Sequence, residues 1–306
     1  MKRIKKKDFI FKLFERLYVQ QWTIGYFLGD IKEIIKNKSF NPEIKWVPIE
    51  PLKRFFADPF LLQTNDGSYS VFIEEFDIKR DYGKISLMKI GKSFNIVYNK
   101  VLLDTTSHLS YPYIFKENNG IYVFPEAGKS GKLVCYEYDA EKETLKFLRV
   151  IIDLPIVDPT ILKYDGKYWL FGTLKGKDSF NKLHIFFSDN LLGPYRNHNQ
   201  NPVKNAFDGS RPAGSFLLIG DAIYRPAQNC KKLYGESITI NKVNELNEFN
   251  FKEEPYMLIS INKGKRCNRR IHSIHTINAE ENLIVIDGKQ KKFAPFSVLK
   301  NYIKKA

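Results

Sequence analysis

Cysteine is scarce in this chain of 306 residues, which has three, Cys135, Cys230 and Cys267, at no paired spacing. Such a sparse, odd set excludes a disulfide framework and a cysteine-rich zinc site, and it fits a reducing compartment. The sequence has no His-Glu-x-x-His, no glycine-rich phosphate loop behind a strand and no Asp-x-Asp pair. The helical zinc site, the nucleotide loop and the metal-carrying pair of many sugar transferases are thereby absent, and neither metal nor cofactor is expected. No apolar run reaches the ~20 residues that span a bilayer. Lys12, Glu15 and Arg16 interrupt the opening stretch where a secretion signal needs unbroken apolar residues, so the expectation is a cytoplasmic protein. Acidic residues are outnumbered, 34 against 49 lysines and arginines, for a net charge of +15. That excess suits anionic partners or a lysine-rich solvated surface. With no nucleic-acid motif beside it, nucleic acid is not an expected partner.

What the chain does have is one phrase repeated. Ala57-Asp58-Pro59-Phe60-Leu61-Leu62 returns as Ser110-Tyr111-Pro112-Tyr113-Ile114-Phe115, as Val157-Asp158-Pro159-Thr160-Ile161-Leu162, and as Ser210-Arg211-Pro212-Ala213. Each copy leads through a turn into a second strand, such as Tyr69-Ser70-Val71-Phe72 or Ile121-Tyr122-Val123-Phe124. A period of roughly 50 residues is that of propeller blades. A fainter fifth unit, Ile271–Asn278 with Leu283–Gly288, is short of strands. The alternating stretch Gln21–Leu28 can complete it, so that both chain ends share a blade and no edge is left open. The predicted fold is therefore all-β, a five-bladed β-propeller over residues 21–299. In blade one the predicted strands are Phe60–Leu62, Tyr69–Glu74, Gly83–Lys89 and Asn95–Leu102.

Before the ring, residues 1–20 read as a short basic amphipathic helix, with Phe9, Ile10, Leu13, Phe14 and Leu17 at helical spacing. It would either lie on an anionic membrane surface or pack across the domain. Ile31–Asn37 suits one or two helical turns and Lys45–Ile49 an edge strand. Residues 300–306 form a basic tail. The basic run Lys263–Arg270 could approach phosphates or simply be solvated.

In a propeller the first strand of every blade lines the central channel. The residues before the prolines, Asp58, Tyr111, Asp158 and Arg211, should converge there, unless Asp-Pro merely starts a strand. Glu74-Glu75 ends the second strand of blade one, where alternation turns one of the pair inward, and Glu126 ends the matching strand of blade two. Asp58, Asp158, Glu126 and Glu75 are the candidate catalytic carboxylates, because glycosidic chemistry needs a carboxyl that gives or takes a proton near neutrality. A salt bridge to Arg211 or Arg225 is the competing role for Glu75 and Glu126. His108 and His275 lie near blade starts, and Arg211 and Arg225 can grip phosphate or carboxylate by paired hydrogen bonds. With Tyr111 and Gln228 they make up the candidate substrate-binding set.

The Asp-Pro phrases resemble those of the five-bladed family-43 and family-32 glycosidases. That likeness implies three carboxylates from different blades, with Asp58 and Asp158 matching two. The family's acid glutamate comes from blade four, where this chain has Arg211-Pro212. A fuller resemblance runs from Trp22 to Asp287. It rests on His108-Leu109-Ser110-Tyr111-Pro112, Pro125-Glu126, Gly193-Pro194-Tyr195, Arg211-Pro212-Ala213-Gly214, Tyr224-Arg225-Pro226-Ala227-Gln228-Asn229-Cys230, Tyr234-Gly235 and Ile274-His275-Thr276. These phrases are similar to the N-terminal propeller of plant glucosamine inositolphosphorylceramide transferases and its stand-alone bacterial relatives in surface-polysaccharide gene sets. In the plant proteins a separate domain resembles the sugar transferase. The expected function is a carbohydrate-active enzyme of surface-glycan or glycolipid assembly, transferring a glycosyl or related group from a nucleotide-sugar or onto a lipid-linked acceptor. It would work in the cytoplasm or peripherally at the inner face of the membrane. Glycoside hydrolysis of the family-43 type and non-catalytic glycan binding are the alternatives.

Overall fold

The computed structural model describes residues 18–48, 53–261 and 271–293. The chain opens with β1 (Tyr18–Leu28), a short helix α1 (Ile31–Lys36) and β2 (Lys45–Trp46). Blade one is β3 (Arg54–Gln63), β4 (Tyr69–Asp77), β5 (Tyr82–Ile90) and β6 (Ile96–Leu103); blade two is β7 (Ser110–Glu117), β8 (Gly120–Glu126), β9 (Leu133–Asp139) and β10 (Thr144–Ile152). Blade three is β11 (Ile156–Tyr164), β12 (Lys167–Leu174) and β13 (Lys182–Ser188), edged by β14 (Arg196–Asn197) and β15 (Lys204–Asn205). Blade four is β16 (Asp208–Pro212), β17 (Leu217–Ile219), β18 (Ala222–Asn229), β19 (Ser237–Leu246) and β20 (Phe251–Ile259). Blade five closes the ring with β21 (Ile271–Ser273), β22 (Ile277–Glu280) and β23 (Leu283–Phe293), joined by β1 and β2 from the other end of the chain.

The five-bladed propeller read from the repeat is the observed fold. The predicted helix over 1–20 is not supported: residues 1–17 lie outside the described residues, and Tyr18–Gln20 already belong to strand β1. The basic run 263–270 and the tail 300–306 also lie outside them. The strand predicted over Lys45–Ile49 is shorter, Lys45–Trp46.

Burial falls from hub to rim, as a radial wheel requires. The second strand β4 is buried for most of its length, whereas the outermost β6 is largely exposed. Apolar side chains pack between blades. Phe60 and Phe72 of blade one meet Tyr111 and Phe124 of blade two and Ile161 and Leu170 of blade three. Ile31 and Ile35 of α1 pack on Phe27, Ile238 and Ile284. Asp30 caps that helix by accepting the Lys32 amide at 2.7 Å, which satisfies one of its orphan donors. Ring closure is antiparallel and continuous, with β1 and β23 registered from Tyr18↔Phe293 to Leu28↔Leu283.

The proline phrase sits inside each innermost strand rather than ahead of it. Registers jump at Ala57/Phe60, Ser110/Tyr113, Val157/Thr160 and Asp208/Pro212. Each jump is a bulge, the device that re-aims a side chain. Asp58, Tyr111 and Asp158 carry φ of 50°, 44° and 51°. Aspartate tolerates that left-handed backbone, but tyrosine does so at a cost of about 1–3 kcal/mol.

Candidate functional site

The hub is a ring of buried polar groups at two positions per blade. The bulges supply Asp58, Tyr111, Asp158 and Arg211, and blade five adds His275 and Thr276. The ends of the second strands supply Glu74, Glu126, Thr173, Gln228 and Asp287, all buried. Register explains this second set: Glu74, Glu126 and Thr173 lie opposite Ala57, Ser110 and Val157, the residues just before each bulge.

Hydrogen bonds run from blade to blade. Asp58 N donates to Asp287 Oδ2 (3.1 Å), Tyr111 N to Asp58 Oδ2 (3.2 Å), and Asp158 N to Glu126 Oε2 (3.3 Å). Asp58 Oδ1 accepts the Thr276 hydroxyl (2.8 Å), and Asp287 Oδ1 accepts the amides of His275 (2.9 Å) and Thr276 (3.0 Å). Arg211 holds Asp158 through Nε (2.5 Å) and Nη2 (3.2 Å) and lies 3.9 Å from Glu126. Asp58, His275 and Asp287 bring possible ligand atoms within 4.8 Å of one another. All four carboxylate oxygens of that trio already accept hydrogen bonds.

Crowding buried carboxylates spreads their protonation. Burial pushes Asp58 up to about 6 against the pull of His275, with Asp158 and Asp287 adding to the rise. Burial and then Asp158 push Glu126 up to about 8 against Arg211. Glu74 stands well above the usual carboxylate range, through burial and then the charges of Asp58 and Glu126. His275 is raised because Asp287 and Asp58 outweigh its burial. Its Nδ1 sits 2.5 Å from Asp287 Oδ2, off the line of a hydrogen bond, and its Nε2 3.5 Å from Asp58.

Aromatic rings border these charges. Trp22, delivered by β1, stacks on His275 with centroids 3.9 Å apart. Tyr234 meets His275 edge-on at 5.3 Å. The Arg211 guanidinium lies 5.2 Å from the centre of Tyr234 and 5.5 Å from Phe180. Lys289 Nζ stands 5.0 Å from the Trp22 ring. The buried charges of the hub thus stand against aromatic faces, which stabilise cations beside them.

Of the ten residues expected from sequence, Asp58, Asp158, Glu126, Arg211, Gln228, Tyr111 and His275 meet at the hub, His108 lies at its edge, and Glu75 and Arg225 lie away from it. Glu75 alternates away from Glu74 and is held by Ser86 (2.8 Å), Asn99 (3.0 Å) and Arg54 (3.3 Å). Arg225 lies three positions from Gln228 along β18, on the opposite face. It is 1% exposed and pairs with Glu253 through Nε (2.8 Å) and Nη2 (2.6 Å). Tyr111, Gln228, Arg211 and His108 take different parts from those expected. Tyr111 is fully buried and ties blades together: its hydroxyl accepts the Gly214 amide (2.7 Å) and meets Thr160 (2.9 Å). Gln228 spends its amide nitrogen on Asp158 (2.7 Å) and Pro212 O (3.0 Å), and Arg211 spends its fork on Asp158. His108 sits at the edge, its Nδ1 accepting the Gly83 amide (2.9 Å) and its Nε2 3.8 Å from Glu74.

Glu74, Asp287, Trp22 and Tyr234 join the hub without standing among the site residues expected from sequence. The repeat carried a signal for the two acids: Phe72-Ile73-Glu74, Phe124-Pro125-Glu126 and Val285-Ile286-Asp287 are in phase. Gly83 leaves the space Glu74 needs, since a Cβ there would lie 2.5 Å from Glu74 Oε1.

Arg225→Ala should cost about 1–3 kcal/mol of stability, because buried Glu253 loses two hydrogen bonds and keeps Lys204 at 2.7 Å, read by urea denaturation. An unmoved midpoint would overturn the structural assignment of Arg225.

Residues 49–289 match the family described as glucosamine inositolphosphorylceramide transferase 1, N-terminal. This chain belongs to that family. Its relatives include glucosamine inositolphosphorylceramide transferase 1 of Oryza sativa subsp. japonica, 29% identical over 287 residues, a match covering 85% of this chain and 38% of the relative. The Arabidopsis thaliana protein of the same name is 29% identical over 297 residues, covering 87% and 39%. The chain thus spans under two-fifths of the length of these relatives. Among solved structures, the family member is similar to Zg3597, a family 117 glycoside hydrolase of Zobellia galactanivorans, with TM-score 0.56, 13% identity and 92% of both chains covered. It is also similar to the exo-β-1,3-galactanase Pc1,3Gal43A of Phanerochaete chrysosporium, with TM-score 0.53, 14% identity and coverage of 72% and 58%. At such identities the likeness is one of fold.

Proposed function

We propose that the hub is an acid–base site for moving a glycosyl group in glycolipid or surface-glycan assembly, with a nucleotide-sugar or a lipid-linked sugar among its substrates. The observation that carries this reading is the convergence of Asp58, Asp158 and Glu126 in the buried hub, where burial drives Asp58 up to about 6 and Glu126 up to about 8. Paired groups driven apart in this way serve as base and acid at neutral pH. Asp58 takes the proton of an acceptor hydroxyl as its oxygen bonds to the sugar's anomeric carbon. Glu126 gives its proton to the oxygen that leaves that carbon. Asp158 and Arg211, locked together, hold Glu126 in place, and Trp22, Tyr234 and Phe180 border the sugar. The names of the relatives, transferases of a sugar–lipid class, support transfer. In this reading the protein works in the cytoplasm, peripherally at the inner face of the membrane.

With water as the acceptor, the same pair performs glycoside hydrolysis, and the propeller shared with glycoside hydrolases favours that second reading. Incubation with nucleotide-sugar pools and lipid-linked acceptors, beside synthetic aryl glycosides, separates the two. Transfer predicts a glycosylated lipid and little free sugar. Free sugar alone would replace the first reading by the second, and no turnover in either arm would sink both.

A further inference from the structure

A second polar feature adjoins the hub. A cleft of 380 Å³ is lined by Lys175, Lys177, Asp178, Lys182, His184 and Pro202. Its wall is the loop after β12, and the same loop carries Phe180, the ring beside Arg211. Lys182 is paired with Asp178 at 2.9 Å. Among the described residues no carboxylate lies in ion-pair reach of Lys175 or Lys177. The Lys175 ammonium leans toward the hub over Gly128, whose added Cβ would lie 2.9 Å from Nζ and 3.4 Å from Glu126 Oε1. Lys175 and Lys129 also act electrostatically on His108 at the hub's edge. Arg211 cannot supply a phosphate clamp, because its fork already holds Asp158.

We infer that this lysine cleft binds the phosphate or diphosphate of the sugar substrate, with the sugar itself reaching Glu126 in the hub. The inference rests on the hub being a sugar site, and it names the substrate class as phosphorylated. Lysine acts on phosphate as a compact point charge with mobile donors. A cleft with unneutralised ammonium groups beside a carboxyl acid places a leaving phosphate next to its proton source.

Inorganic pyrophosphate titrated into the whole protein by calorimetry tests it. The wild type should bind saturably, and Lys175→Gln with Lys177→Gln should weaken binding by at least about tenfold. A control pair with the same loss of charge, Lys142→Gln with Lys252→Gln, removes exposed lysines already paired to Asp139 and Glu245 and should stay within about twofold. Gly128→Ala should weaken binding by displacing Lys175. Asp58→Asn should leave pyrophosphate affinity unchanged while lowering sugar turnover by about 10²–10⁴-fold, so failure of the cleft and failure of the hub are read separately. Uridine diphosphate binding more tightly than pyrophosphate would assign the phosphate to a nucleotide donor. Lysine-dependent cosedimentation with phosphatidylinositol vesicles, and not phosphatidylcholine ones, would assign it to a lipid. Absence of saturable pyrophosphate binding, or equal losses in the two lysine pairs, overturns the inference.

Discussion

Asp58→Asn should lower kcat for sugar turnover by about 10²–10⁴-fold with KM little changed. The amide keeps the size and polarity of the carboxylate, and asparagine tolerates the left-handed φ of 50°. What it loses is the ability to take a proton. Glu126→Gln should cost a comparable factor for the opposite reason, since it cannot give one. The wild-type rate should rise as Asp58 ionises through about pH 6 and fall as Glu126 ionises through about pH 8. Glu126→Gln should erase the alkaline limb and Asp58→Asn the acid limb. Unchanged turnover in either variant, or both limbs surviving in both, would remove these residues from the chemistry.

The same carboxyls fix a stability trend. A carboxyl whose folded value is raised stabilises the fold below its unfolded value and loses that contribution as pH rises through the folded one. The window is 3.8 to about 6 for Asp58 and 4.5 to about 8 for Glu126. These groups therefore weaken the propeller as it passes from acid to neutral solution. Glu126→Gln should flatten that decline and raise Tm at pH 8 while it destroys activity.

Deleting residues 1–28 should abolish cooperative folding. β1 buries Trp22, Ile24, Tyr26 and Phe27. Each such side chain is worth about 1.5–3 kcal/mol, and the four together match the whole net stability of a typical domain, about 5–15 kcal/mol. Deletion also opens the edge of β23, where Leu283, Ile284, Val285 and Ile286 are fully buried, and an open apolar edge invites aggregation. Size-exclusion chromatography and thermal melts check this. A monomer melting within a few degrees of the full chain would show that the wheel closes without β1.

The wheel was legible because its sequence signal repeats: a proline every roughly 50 residues followed by an apolar run. The hub was half legible. Asp58 and Asp158 stand in the phrase itself. Alternation alone does not say which of Glu74 and Glu75 faces inward; the phase of Glu74 against Glu126 does. Arg225 reads as a substrate contact in the sequence because its partner, Glu253, lies 28 residues away on the outer strand β20, and no local pattern announces a long-range buried pair. Trp22 reaches His275 only through ring closure, so its place in the site depends on tertiary geometry.

The kinks at Asp58, Tyr111 and Asp158 share nearly one φ, 50°, 44° and 51°, although two carry an aspartate and one a tyrosine. The same backbone device thus carries different chemical heads on different spokes of the wheel. A library varying Asp58 and Asp158, with glycine or asparagine admitted where φ is positive and Tyr111 kept for its ties to Gly214 and Thr160, would sample new chemistry on those two spokes.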